Sequence, residues 1–238
     1  MASDVYELTL AGPARNALGT AFMEDIRTRL RAAAGRPVLL AGSNGAFSAG
    51  LNLKEVAALD RSGMARFLDL LEALVEEVYC YPGPLVAAVN GHAIAGGCVL
   101  ALCCDHRVMA DDPALRIGLN EVAIGLQFPP KIFTVVRRRV APQSVERVVL
   151  EAGLYDPHTG LRLGLVDEIA TDPIAAARAH LERLAAHPRQ AFTATKRALR
   201  GAAIPVSDDE QRRFRDELVP AWSAPEAKQR VTDRLTRR

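Results

Sequence analysis

Two stretches of the chain repeat one arrangement of apolar and small residues. Residues 85–89 are uninterruptedly apolar and lead through a short turn to Ala-Gly-Gly at residues 95–97, after which a second apolar run begins. Residues 37–41 start a similar unit, which ends in Ala-Gly-Leu at residues 49–51. A short continuous apolar run is typical of a strand that is covered on both faces. The pattern therefore predicts two buried strand units that end in Ala-Gly, and a buried helix after Gly96.

Strands and helices alternate around these two units. Apolar residues recur at helical spacing over residues 20–33 and 62–79, and Ser207 with Glu210 matches the capping box of a later helix. Residues 187–238 contain helical patterns only, with too few apolar positions to bury a face of their own. The chain is therefore predicted to have an α/β body over residues 1–186 and a helical region over 187–238. The other predicted strands cover residues 5–10, 107–110 and 165–169, and further helices cover about 130–139, 142–151, 157–164 and 173–186.

Composition excludes several classes of protein. The chain is 49% hydrophobic and 24% charged, as in ordinary globular proteins, and its net charge of +2 is too small to indicate a nucleic-acid partner. Lys and Arg outnumber Asp and Glu after His187, which favours either an anionic partner there or a solvated helical face. No apolar run is long enough for a membrane span, and no signal peptide is visible. We therefore expect a cytoplasmic protein without a membrane partner.

The cysteines give no metal-site signal. Cys98, Cys103 and Cys104 lie in one apolar helix, without a Cys-x-x-Cys pair or a histidine at ligand spacing. They are interpreted as small buried apolar residues, and no metal site is expected.

The common catalytic motifs are absent, which leaves backbone groups as the candidate chemistry. The sequence contains no dinucleotide-binding or P-loop glycine motif and no nucleophile elbow. The Gly96 N–H is expected at a helix N-terminus, where the helix dipole favours negative charge, and the Leu51 N–H follows the other Ala-Gly. Two such donors aimed at one point form an oxyanion hole. By these residues alone, glycines that merely allow close packing explain the pattern equally well.

Five motifs in order resemble the crotonase (enoyl-CoA hydratase/isomerase) superfamily. This resemblance implies a ββα spiral with a C-terminal helical region that drives trimerisation, so a homotrimer or a dimer of trimers is expected. It also implies an acyl-CoA thioester substrate and no metal or redox cofactor, because coenzyme A is part of the substrate. The motifs are Asn16-Ala17-Leu18, Phe47-Ser48-Ala49-Gly50-Leu51-Asn52-Leu53, Asn90-Gly91-His92-Ala93-Ile94-Ala95-Gly96-Gly97, Cys104-Asp105-His106-Arg107 and Gly164-Leu165-Val166-Asp167-Glu168.

The resemblance implies roles for individual residues. The backbone N–H groups of Leu51 and Gly96 would bind the thioester oxygen, and the Ala49–Leu53 segment would line the adenine pocket. Lys54, Lys196 and Arg197 are candidates for the phosphates of coenzyme A. Asp105 and Arg107 are expected to make an ion pair or backbone hydrogen bonds. The expected substrate-binding residues are Ala49, Gly50, Leu51, Asn52, Leu53, Lys54, Gly96 and Gly97.

The carboxylates decide between activities within this superfamily. Its hydratases resemble Gly-Gly-Cys-Glu after the second N–H donor, but this chain has Val99 at that position and retains only the later Glu121. Glu121 lies among Leu119, Val122, Ile124 and Leu126, and desolvation there is expected to raise its pKa. One base suits the transfer of a proton from C2 to C4 of a 3-enoyl-CoA.

The pattern around Glu121 resembles the mitochondrial-type Δ3,Δ2-enoyl-CoA isomerases. We therefore expect an isomerase of acyl-CoA metabolism, with Glu121, Leu51 and Gly96 as catalytic residues. An enoyl-CoA hydratase or related acyl-CoA lyase is the nearest alternative. A non-catalytic acyl-CoA-binding subunit is the alternative from another class.

Overall fold

All strand pairs in the computed structural model are parallel. The backbone is described for residues 4–236 and the side chains for residues 4–233. The main sheet has the order β1-β2-β4-β6-β8, and a second sheet has the order β3-β5-β7. The strands are β1 (Tyr6–Leu10), β2 (Val38–Gly42), β3 (Ala46–Ser48), β4 (Leu85–Val89), β5 (His92–Ile94), β6 (His106–Ala110), β7 (Ile117–Gly118) and β8 (Glu168–Ala170).

Helices connect and cover the strands, as the apolar stripes predict. A left-handed turn at Ala14, Arg15 and Asn16 precedes the first of them. The helices are α1 (Thr20–Ala32), α2 (Leu53–Ala58), α3 (Arg61–Tyr79), α4 (Gly96–Cys103), α5 (Pro130–Arg139), α6 (Val145–Leu150), α7 (Pro157–Leu163), α8 (Pro173–Ala185), α9 (Arg189–Arg200), α10 (Asp208–Arg213), α11 (Val219–Ser223) and α12 (Pro225–Thr236). One-turn 3-10 segments lie at Val122–Ile124 and Pro142–Ser144, and a π-helical segment lies at Phe214–Leu218.

The main sheet is buried on both faces. On one face, Ala177 and Leu181 of α8 pack against Leu39, Val86 and Val108 of the central strands. The other face belongs to the large core, which α4 enters with all eight of its residues buried. Because both faces are covered, the central strands read as continuous apolar runs, which confirms the α/β prediction.

The second sheet was not predicted from the sequence. The stretch between β4 and α4 was interpreted as a turn, but residues 92–94 form β5, which pairs with β3 and β7. Strands of two or three residues carry too little periodicity to be recognised, and their pairing partners lie far away along the chain. This small sheet carries both Ala-Gly turns at its ends.

A buried ionic network ties α9 to the body. Asp105 follows α4 and accepts hydrogen bonds from the Leu85 N–H at 2.7 Å and from Lys196 at 2.8 Å, while Arg200 lies 2.8 Å from its other oxygen. Lys196 and Arg200 are only 7% and 8% exposed. The expected structural contacts of Asp105 and Arg107 are present, but the two residues do not pair with each other, because Arg107 binds Asp167 at 2.6 Å.

Replacing Asp105 by asparagine is expected to lower the free energy of unfolding by about 3 kcal/mol, because it leaves two buried cations without a counter-charge. Asp209→Asn is the control, since Asp209 pairs with Arg212 and Arg213 on the exposed surface of α10. It is expected to cost less than about 1 kcal/mol. Urea unfolding of both variants measures the difference, and equal losses would contradict the role given to burial.

The predicted boundary between residues 186 and 187 falls in the link between α8 and α9. Division of the chain there stays a prediction. None of the helices in the described part of the chain is long and apolar enough to cross a bilayer.

Candidate functional site

Ala95, which has a strained backbone conformation, sets the direction of the first N–H of α4. Ala95 follows β5 with φ 50° and ψ −119°, a conformation that side-chain-bearing residues rarely adopt. Its own N–H donates to the Gly118 carbonyl at 2.8 Å, and its carbonyl accepts from Val99 at 3.0 Å. The turn places Gly96 as the first residue of α4, where its N–H has no partner within the helix.

Ala95→Gly is expected to stabilise the protein by about 1 kcal/mol, because glycine adopts this backbone conformation without strain. Ala49→Gly is the control, since Ala49 has no positive φ and glycine there only adds freedom to the unfolded chain. Thermal unfolding of both variants checks the sign. A loss of stability in Ala95→Gly would show that Ala95 is not strained.

The second donor lies on the neighbouring segment. Leu51 forms an isolated parallel bridge with Leu18, in which the Leu18 N–H donates to the Gly50 carbonyl at 2.7 Å and the Asn52 N–H donates to the Leu18 carbonyl at 3.0 Å. This pairing directs the N–H of Leu51 itself away from Leu18. Neither the Leu51 nor the Gly96 N–H donates to an acceptor within the described residues.

The two Ala-Gly turns are in direct contact. A Cβ placed on Gly50 would lie 3.5 Å from the Gly96 nitrogen and 2.7 Å from the Ile94 carbonyl oxygen. A Cβ placed on Gly96 would lie 3.4 Å from Leu51 Cδ2. Gly50 also has φ 87°, in the region that favours glycine. The tertiary structure thus brings together two backbone donors that are separated by 45 positions in the sequence.

A narrow cavity joins these turns to Glu121. Its volume is about 30 Å³, and among the described residues that line it Glu121 alone has an ionisable side chain. Glu121 is 8% exposed, and its Oε2 atom has no hydrogen-bond partner among the described residues. The lining residues are Ala49, Leu51, Leu53, Ile94, Ala95, Asn120, Glu121, Ile124 and Leu126.

Burial controls the proton affinity of Glu121. Desolvation raises its pKa to about 8, against which its own backbone N–H offers a small opposing stabilisation. Ile124 and Leu126 line the cavity with Glu121 and Leu119 is buried, but Val122 is 45% exposed. A carboxyl group with a pKa near neutrality exchanges protons efficiently at physiological pH.

The remaining expected site residues are Gly97 and Asn52, which have packing and capping contacts, and three basic residues. Gly97 sits against Ser48, where any side chain would collide with the Ser48 carbonyl, and the Asn52 side chain caps α2 by accepting from Glu55 at 3.4 Å. Lys54 and Arg197 are exposed and lie outside the cavity. Lys196 is not free for phosphate, because it is buried and donates to Asp105 and to the Gly83 carbonyl.

Val99 is an interior residue of α4 and is 1% exposed. It belongs to the large core and not to the wall of the narrow cavity. The position at which the resemblance implies a carboxylate in hydratases is thus filled by apolar packing.

The sequence pattern did not indicate a role for Asn120. It lines the narrow cavity beside Glu121 and is 7% exposed. Its position directly before the candidate base was the available signal, but a single asparagine in a loop has many structural explanations.

Metal-ligand side chains also cluster outside this site. Single donor atoms of His106, Glu168 and His180 lie within 4.8 Å of one another. The two imidazole rings are stacked, with centroids 3.5 Å apart and planes 8° apart. Imidazole binds a metal in its ring plane, so these stacked rings do not direct their nitrogens at one point.

Burial raises the pKa of Cys98, Cys103 and Cys104, which confirms their interpretation as buried thiols.

Comparisons with known proteins identify relatives of this chain. The family model described as enoyl-CoA hydratase/isomerase matches residues 1–231. Mouse mitochondrial enoyl-CoA delta isomerase 1 is 34% identical over 167 residues, covering 69% of this chain and 58% of the mouse protein. A putative enoyl-CoA hydratase of Thermus thermophilus is 36% identical over 169 residues, covering 69% of this chain and 66% of that protein. The matched part of the chain thus spans little more than half of the length of the mouse relative.

The backbone is similar to that of a solved isomerase. The crystal structure of human mitochondrial Δ3,Δ2-enoyl-CoA isomerase superposes with a TM-score of 0.91 at 26% identity, covering 98% of this chain and 93% of the human one. With the whole-chain family match, this likeness confirms the predicted crotonase-type fold. The chain belongs to the enoyl-CoA hydratase/isomerase family.

Proposed function

We propose that this protein is a Δ3,Δ2-enoyl-CoA isomerase, which moves the double bond of a 3-enoyl-CoA to the 2-position. The observation that carries the proposal is the single buried carboxylate, Glu121, in the cavity between the two Ala-Gly turns. Likeness to the mouse and human isomerases supports the same assignment.

The proposed reaction needs one base and two fixed donors. The Glu121 carboxylate takes a proton from C2, and the electron pair delocalises over the thioester to give a dienolate. The negative charge on the thioester oxygen is stabilised by hydrogen bonds from the Leu51 and Gly96 N–H groups, each worth about 3 kcal/mol in the transition state. The protonated Glu121 then returns the proton to C4. Atoms and charge balance without a metal or redox cofactor.

The presence of one carboxylate in the described cavity wall favours isomerisation over hydration. Water addition of the kind expected in hydratases uses two carboxylates, whereas the described wall of this cavity offers one. Burial keeps the proton on Glu121 away from solvent between its removal at C2 and its return at C4.

The proposal includes a homotrimer or a dimer of trimers. Leu199 on α9 is 78% exposed, and it borders a cavity of about 860 Å³ that is also lined by Leu184 and Phe192. Apolar surface of this kind supports contact with another subunit. Light scattering after gel filtration measures the mass of the particle, and a monomer would contradict this part of the proposal.

The substrate experiment compares two unsaturated thioesters. With 3-hexenoyl-CoA, the proposed isomerase produces the conjugated 2-enoyl thioester, so its absorbance rises. With 2-hexenoyl-CoA, a hydratase removes that conjugation, so the absorbance falls. Faster loss of the 2-enoyl substrate than conversion of the 3-enoyl substrate would favour the hydratase. Binding of both thioesters without turnover or deuterium exchange at C2 would favour a non-catalytic subunit.

The pH dependence of the reaction follows from the raised pKa of Glu121. The free enzyme needs Glu121 ionised, so kcat/KM is expected to rise about tenfold per pH unit below pH 8 and to level off above it. The measurement is kcat/KM for 3-hexenoyl-CoA from pH 6 to pH 10. A profile that is flat between pH 6 and pH 8 would contradict a buried base.

The free energy of unfolding is expected to fall as the pH rises, whereas kcat/KM rises. The pKa of Glu121 is raised from 4.5 to about 8 on folding, so the unfolded chain loses this proton first as the pH rises. The folded state therefore loses up to about 1.4 kcal/mol per pH unit between these values. Glu121→Gln, which stays neutral, is expected to be more stable than the wild type at pH 8 and equally stable near pH 4.5. Chemical denaturation at the two pH values checks the sign.

A further inference from the structure

A second cavity adjoins the one that contains Glu121. It has a volume of about 270 Å³, and Asn120 and Ile124 line both cavities. Its other described walls are Ala123, Ala152, Leu154, Arg230 and Asp233. The narrow cavity is almost wholly apolar, whereas this larger one presents a cation, a carboxylate and an amide. Because the two cavities share Asn120 and Ile124, a group bound beyond Glu121 would meet polar surroundings.

The Asn120 amide has unused hydrogen-bonding capacity at the junction of the cavities. The residue is 7% exposed, and its side chain makes no hydrogen bond to any residue whose side chain is described. The nitrogen and oxygen of this amide are accessible from the cavity, so a ligand can replace water as their hydrogen-bond partner. Asn120 thus offers N–H donors to whatever occupies the junction.

Arg230 supplies a positive charge on the far wall. It lies on α12 with its guanidinium against Gly125, where a Cβ would collide with it. Arg230 forms no ion pair within the described part of the chain. Asp233 on the same helix is already engaged, because it accepts from the Gln229 amide at 2.7 Å. The donors of Arg230 and Asn120 are therefore available to an acceptor in the cavity.

We propose that the second cavity binds a carboxylate at the far end of the acyl chain, so that the preferred substrates are CoA thioesters of dicarboxylic acids. This inference rests on the proposed function, because it places the acyl chain at Glu121. Arginine binds carboxylates through two parallel hydrogen bonds, and the Asn120 amide adds a donor at the cavity junction. A terminal methyl group offers no hydrogen bond to Asn120 or to the exposed Arg230, whose donors then stay bound to water.

The test uses affinity and not turnover, so it does not depend on isomerase activity. Calorimetry compares the saturated thioesters adipoyl-CoA and hexanoyl-CoA, with glutaryl-CoA and suberoyl-CoA to find the best length. We expect the best diacid thioester to bind about tenfold more tightly than the methyl-ended thioester of equal length, and the preference to weaken with salt. Equal or tighter binding of hexanoyl-CoA and octanoyl-CoA would overturn the proposal. Tighter binding of 6-hydroxyhexanoyl-CoA than of every diacid would overturn the assignment to a carboxylate.

Two variants test whether Arg230 causes the preference for diacid thioesters. Arg230→Gln is expected to abolish most of the tenfold difference while the affinity for hexanoyl-CoA stays unchanged. Lys228→Gln is the matched control, because it removes one positive charge from the same helix at a position outside the cavity wall. An equal loss in both variants, or a preference that survives in Arg230→Gln, would overturn the role of Arg230. If 3-hexenoyl-CoA is not isomerised while the diacid preference is present, the proposed function fails and the binding site stands.

Discussion

Glu121→Gln is expected to lower kcat for 3-hexenoyl-CoA isomerisation about 1,000-fold, because the amide cannot accept the proton from C2. Its shape is nearly that of the protonated acid, so the affinity for a saturated acyl-CoA is expected to change by no more than a few-fold. Stopped-flow measurement of product formation gives kcat, and calorimetry gives the affinity. A kcat within a few-fold of the wild type would remove Glu121 from the mechanism.

Glu72→Gln provides the matched control for this variant. Glu72 is also buried, at 5% exposure, and desolvation raises its pKa as well. Its carboxylate accepts the Lys131 N–H at 2.8 Å near the start of α5, outside the narrow cavity. An amide oxygen can accept the same bond, so kcat is expected to stay within about twofold of the wild type. A large loss in this control would mean that any buried carboxylate affects activity through stability.

Gly50→Ala is expected to lower kcat/KM about 100-fold, because the new methyl group separates the two backbone donors. Its Cβ would lie 2.7 Å from the Ile94 carbonyl oxygen and 3.1 Å from Ala95 Cβ, so the backbone on one side must move. The positive φ of 87° adds strain, and a loss of about 2 kcal/mol in the free energy of unfolding is expected. Steady-state kinetics and urea unfolding measure the two effects.

Gly45→Ala separates the effect of strain from the effect of the collision. Gly45 has a similar φ of 74°, but a Cβ there meets no atom within 4 Å. It is expected to lose about 1 kcal/mol of stability with unchanged kcat/KM. If both variants lose activity alike, the loss in Gly50→Ala reflects backbone strain and not the contact between the two turns.

The sequence by itself predicted the central strands of the main sheet, the buried helix α4 and a candidate base. Strands covered on both faces are apolar at nearly every position, and residues 38–41 and 85–89 show this local pattern. Glycine-rich turns are also local, since close contact of backbones excludes side chains. The assignment of Glu121 came from the resemblance of Leu119-Asn120-Glu121 to the isomerases, and its apolar neighbours predicted only the raised pKa.

The tertiary structure decided how these pieces meet. The second sheet, the contact of Gly50 with Gly96 and the pairing of Asp105 with Lys196 and Arg200 all join residues far apart in the sequence. None of these contacts has a signature in local periodicity, because each depends on the path of the chain between its partners. For the same reason, the cavity between Asn120 and Arg230 became visible only once α12 was packed against the loop that follows Glu121.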